Sequence, residues 1–72
     1  MFSNQLQVEL LNAFVVPEKD IEICLFTSIF GNFSVVVREG KEVKSNICVS
    51  QSQAQKLFED CVKRTVNRFQ LN

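Results

Sequence analysis

The 72-residue chain has no histidine. That absence removes the usual general base at neutral pH, the usual partner of a nucleophilic serine or cysteine, and the commonest metal ligand. Cys24, Cys48 and Cys61 are odd in number and never stand in a C-x-x-C spacing, so neither a disulfide framework nor a thiolate metal site is indicated. The opening residues MFSNQLQVEL lack the basic stretch and long apolar run of a secretory signal, and no stretch approaches the ~20 apolar residues of a membrane span. A reducing, intracellular and cytoplasmic setting is therefore expected, in which the glycosylation-like triplet Asn32-Phe33-Ser34 is a chance occurrence. Net charge is missing too. Eight basic residues balance eight acidic ones, so bulk electrostatics recruits neither nucleic acid nor an acidic membrane. No catalytic residue, cofactor or metal is expected.

What is present is apolar. Hydrophobic residues make up 46% of the chain and seven of them are phenylalanine, too rich a composition for disorder and enough for one small core. We expect a single domain over residues 1–72, short enough to gain from a partner subunit. Charge is uneven along it: residues 1–40 set Lys19 and Arg38 against Glu9, Glu18, Asp20, Glu22 and Glu39, a balance of −3, and residues 41–72 carry +3. A dipolar surface orients protein contacts, although ordinary solvated faces produce the same pattern.

The clearest periodicity lies in residues 50–70, where Ala54, Leu57, Phe58, Cys61, Val62, Thr65, Val66 and Phe69 occupy about half the circumference of a helix. The charges Lys56/Asp60, Glu59/Lys63 and Asp60/Arg64 fall on the other half at i,i+4 spacing, and Ser50 or Ser52 can cap the start. On that helix Cys61 sits on the apolar side, as packing rather than as a reactive thiol. Near the N-terminus Leu6, Leu10, Ala13 and Phe14 recur at i, i+4, i+7, i+8 after Ser3 or Asn4, which predicts a helix over 4–14; the β-branched Val15 and Val16 make a strand over VELLNAFVV the competing reading. Val16-Pro17 ends either element. Between lie three strand signals, IEICLFTSI (21–29), FSVVVRE (33–39) and EVKSNICVS (42–50), separated by Gly31-Asn32 and Gly40-Lys41. The expected fold is α+β, in the order α-β-β-β-α, with a three-stranded antiparallel sheet covered on one face by two helices.

A three-residue loop centred on Gly40 would place Phe33, Val35 and Val37 on one face with Val43, Ile47 and Val49, leaving Arg38, Lys44 and Asn46 on the other. The first of these strands is apolar on both sides, with Ile21, Ile23, Leu25 and Ile29 against Cys24, Phe26 and Phe30. Whichever side turns inward, apolar groups stay outside, and Val36 joins them. A patch on the sheet face away from the helices is expected, unless chain ends or loops fold over it.

The element order and spacings resemble the double-stranded-RNA-binding domain. VELLNAF is similar to that family's first helix, FSVVVREG to its F-x-V-x-V strand with a turn glycine, and SQSQAQ stands where the family places S-K-K-x-A-K. The resemblance implies an RNA surface stripped of its chemistry. Gln51, Ser52 and Gln55 replace the phosphate-contacting lysines, Ala13 stands where the first helix commonly carries a glutamate, and the loop Ser28 to Asn32 lacks the histidine of the usual G-P-x-H pattern. Family members of this kind are protein-binding and dimerising domains, often the last domain of Dicer-partner proteins, so the resemblance also implies a place in RNA silencing and a Dicer-type nuclease as one partner.

The expected function is a non-catalytic interaction domain that forms a homodimer or binds another protein through its sheet. Val43, Ser45, Ile47 and Val49 on the last strand, with Ile23, Leu25 and Val36, are the candidate contact residues, because that strand is an unpaired edge in this topology. Direct nucleic-acid binding is expected to be weak or nil, and no membrane partner is expected. The alternatives are an atypical nucleic-acid surface built from Lys56, Lys63, Arg64 and Arg68 on the last helix, or a small inhibitor from a mobile element that masks one host protein.

Overall fold

The structure is a computed structural model that describes residues 9–28 and 30–70. Its elements run β1 (Glu9–Val16), a short 3-10 turn (Pro17–Lys19), β2 (Ile21–Thr27), β3 (Phe33–Glu39), β4 (Glu42–Cys48) and α1 (Gln51–Phe69). The strands form one antiparallel sheet in the order β1-β2-β3-β4. The α+β class holds, but a four-stranded sheet with one helix replaces the expected three strands with two helices. Residues 4–8 of the expected first helix lie outside the described residues; the rest of it is β1.

A bulge explains why β1 carries a helix-like pattern. Its register against β2 runs Leu10↔Phe26 and then Asn12↔Leu25, leaving Leu11 as the extra residue. One inserted residue stretches a same-face interval from two to three, so Leu10 and Ala13, three apart in sequence, share a face. On paper that spacing imitates a helical turn. Beyond the bulge strict alternation returns, with Val16 buried and Val15 half exposed. The 3-10 turn then reverses the chain, closed by a bond from the Asp20 N–H to the Pro17 carbonyl at 3.1 Å, with Asp20 in the left-handed region at φ 55°.

The β3–β4 hairpin differs from the sequence expectation by one residue. Glu39 pairs with Glu42, so the loop is the two residues Gly40-Lys41. Gly40 has φ +62° while Lys41 does not adopt a positive φ, the arrangement of a type II′ turn with glycine at its first central position. A one-residue change of register moves every side chain of a strand to the opposite face. Val43, Ser45 and Ile47 therefore point away from α1, and Glu42, Lys44 and Asn46 lie on the helix side with Val35 and Val37. Val49 lies beyond the end of β4 and is 82% exposed.

Among the described residues, it is the helix that covers the sheet, on one face. Ser50 caps it by accepting a bond from the Gln53 N–H at 3.2 Å, and Gln70 ends it in the left-handed region. Its apolar stripe, led by the buried Ala54 and Phe58, packs on Ile21, Ile23 and Leu25 of β2 and Val35 of β3. Of these, Ile23, Leu25 and Val35 are the largest side chains wholly removed from water. α1 lies across β2 and β3 and reaches β4 less. Its far end is tied down by an ion pair between Arg68 and Glu39 and by Lys19, whose ammonium sits 5.1 Å from the Phe69 ring centre.

Candidate protein-interaction surface

The face of the sheet turned away from α1 is assembled by strand register into three rungs. The first runs Leu10–Phe26–Ser34–Ile47, the second Ala13–Cys24–Val36–Ser45, and the third Val15–Glu22–Arg38–Val43. Its corners are Leu10, Ile47, Val15 and Val43, with 54%, 73%, 50% and 59% of their surfaces in water. Between them lie Phe26, Cys24 and Val36, each half-buried by its neighbours. Apart from two serines, the polar groups on the rungs are Glu22 and Arg38, joined at the margin by Asp20. The Arg38 guanidinium reaches Glu22 at 3.2 Å and Asp20 at 3.0 Å; these bonds raise its pKa, with Glu22 the larger cause. Burial, reinforced by Glu22, pushes the Cys24 thiol up, so that in the middle rung it is a neutral, apolar group at physiological pH.

Among the described residues this surface meets the expectation of a patch away from the helix, with its membership revised; the chain ends, the alternative cover, lie outside the described residues. Val36 lies at its centre, and Val43, Ser45 and Ile47 lie on it along β4, which is an edge strand. Ile23 and Leu25, named as contact residues from the sequence, are instead 0% and 1% exposed beneath α1 and are unavailable to a partner. Both sides of β2 are apolar, so only the position of the helix decides which side is core. The residues missed from the sequence are Leu10 and Val15, hidden by the helical reading of β1. Ala13 sits in the middle rung rather than on a helix, and so does not stand in a first-helix contact position.

The remaining resemblance positions lie at the start of α1. Gln51 and Ser52 are exposed. Gln55 is half-buried and donates to the Glu59 carboxylate at 3.0 Å. The element order, β-β-β-β-α, departs at its first element from the α-β-β-β-α order on which the resemblance to the double-stranded-RNA-binding domain rested.

A concavity of about 390 Å³ lies between the helix-side face of β4 and α1. Lys44, Arg64 and Arg68 line it together with Glu39 and Glu42. Its charges are mixed and partly spent: Arg68 is paired with Glu39, whose carboxyl that bond holds below the usual carboxylate range, and Arg64 donates to the Cys61 sulfur at 3.6 Å. Lys56 and Lys63 are exposed on the helix. Among the described residues the ion pairs are those of Arg38 and Arg68; the i,i+4 pairs expected along α1 are not formed. Among those residues no three histidine, cysteine, aspartate or glutamate side chains come together as a metal site, and no helix is long and apolar enough to cross a membrane.

Comparison with known proteins leaves the geometry to speak for itself: no family model matches the chain, and no significant match is found among curated proteins or solved structures.

Proposed function

We propose that this chain is a non-catalytic protein-interaction domain whose binding surface is the open face of its sheet. The observation that carries the reading is the asymmetry of the sheet: one face is sealed by α1, and the other presents aliphatic corners around a half-buried apolar centre. Contiguous apolar surface beyond a few hundred Å² is rare on monomeric proteins and marks sites of association. Four strands about 4.8 Å apart, each about seven residues long, give a face of roughly 19 by 23 Å, or ~450 Å² in flat projection, and eight of its twelve rung positions are apolar.

Chemistry favours binding over catalysis at this surface. Arg38 is already engaged with two carboxylates, and the hydroxyls of Ser34 and Ser45 have no histidine anywhere in the chain to activate them. No RNA-silencing partner is part of this reading, because the resemblance that suggested one began with a helix where β1 now stands.

The test is affinity capture with the purified chain as bait, run beside a variant carrying Leu10→Glu and Ile47→Glu at opposite corners of the face. Partners retained by the native chain and lost by the variant support the reading. Capture that is indifferent to both substitutions, together with no binding of an apolar surface dye to the native chain, contradicts it.

A further inference from the structure

We infer that the occupant of the open sheet face is a second copy of the same chain, packed sheet against sheet about a two-fold axis. The inference rests on the interaction reading above and names its partner.

Three observations select a second copy. The first is charge. A two-fold axis sets a surface against itself, so a face of one sign would repel its own copy. Here the ionised groups on the rungs are Glu22 and Arg38, already joined; with Asp20, which also holds Arg38, the cluster leaves one negative charge at one end of the face, and the face as a whole is not of one sign. The second is pattern. Four exposed aliphatic side chains, each half or more in water, occupy the four corners of the face. A two-fold axis in the interface plane, along the strands or across them, sets apolar corner on apolar corner and brings Cys24 and Val36, neighbours in the middle rung, toward their own counterparts. The third is size. The ~450 Å² flat projection, enlarged by side-chain relief, approaches the ~600 Å² per partner at the low end of specific interfaces. Two such sheets packed ~10 Å apart form a sandwich whose centre is a new apolar layer. Pairing along the edge of β1 or of β4 would instead build a wider sheet and leave the apolar face in water, which is why the face and not an edge is assigned.

Sedimentation equilibrium of the full chain from about 1 to 500 µM tests the assignment. A monomer–dimer equilibrium with a dissociation constant of roughly 1–100 µM is expected for an interface of this size. Leu10→Glu on β1 and Ile47→Glu on β4 should each weaken it at least ~10-fold. Both positions are half exposed or more, so both variants should fold; far-ultraviolet circular dichroism checks this. Parallel maleimide labelling of Cys24 in the native chain should slow as concentration rises. A dimer weakened by only one of the two substitutions is an edge dimer, through β4 if Ile47→Glu acts alone and through β1 if Leu10→Glu does, and overturns the proposal. A monomer at all concentrations also overturns it, and Cys24 then decides the broader reading. Ready labelling leaves the face open to a different protein, whereas protection in the monomer means the chain closes its own face, which ends both readings.

Discussion

The two faces of this sheet are made from the same strands and from similar residues, yet only one is a core. Leu25 and Ile47 illustrate the contrast: both are aliphatic and both lie in strands of one sheet, but Leu25 is 1% exposed beneath α1 and Ile47 is 73% exposed on the other side. Apolar content alone therefore does not locate the core. The helix does, by sealing one side of β2 and β3 and leaving the other, among the described residues, without such a cover.

The contrast can be broken most severely from within the covered face. Leu25→Ala removes a side chain packed on α1 and leaves a cavity, with an expected loss of about 2–5 kcal/mol, enough to unfold a domain whose small core gives it only a few kcal/mol to spare. Urea denaturation in dilute solution measures it. Gly40→Val is next. Gly40 has φ +62° with open space around the position a Cβ would take, so the cost is backbone strain without a clash, about 1–3 kcal/mol. That variant also tests the turn that decides which residues of β4 face outward. Ser50→Ala removes the cap of the helix that separates the two faces, with an expected loss of about 1 kcal/mol.

Much of this was legible in the chain, and the exceptions have physical causes. The span and buried side of α1, the outward placement of Val36 and the edge position of the strand after Gly40 follow from periodicity and from turn residues. The N-terminal strand was obscured because the extra residue Leu11 lengthens the spacing between Leu10 and Ala13 to a helix-like three. The outer face of β4 was misassigned because glycine at the start of a tight turn serves two- and three-residue loops alike, and the two differ by one residue of register. Ile23 and Leu25 could not be told from Cys24 and Phe26 as contact residues, because alternation carries no information when both sides of a strand are apolar.

Substitution on the open face should have the opposite signature to substitution in the core. In dilute solution Ile47→Thr should change stability by no more than about 0.5 kcal/mol, since the side chain is mostly in water already. At high concentration the same variant should lose the extra stability that self-association confers on the native chain by mass action. Denaturation midpoints at two protein concentrations provide the check. The smallest effect expected is that of Glu39→Gln at the tail of α1. The Arg68 bond holds the Glu39 carboxyl below its ordinary value, so its stabilising contribution is fully present above the pKa of the unfolded chain and is lost as pH falls through the folded one. The native chain should therefore be slightly more stable than the variant at about pH 7 and should lose that advantage as acidification protonates the folded-state carboxyl; added salt should shrink it at neutral pH.

The account is tested most directly by isotope-filtered nuclear Overhauser measurements on an equimolar mixture of carbon-13-labelled and unlabelled chain at a concentration where it associates. The predicted result is a set of contacts between copies joining the methyl groups of Leu10, Val15, Val36, Val43 and Ile47, with none from Leu57 or Val62 on the helix. Intermolecular contacts confined to the helix, or none at all, would contradict the claim that the open face of the sheet is where this protein binds its own copy.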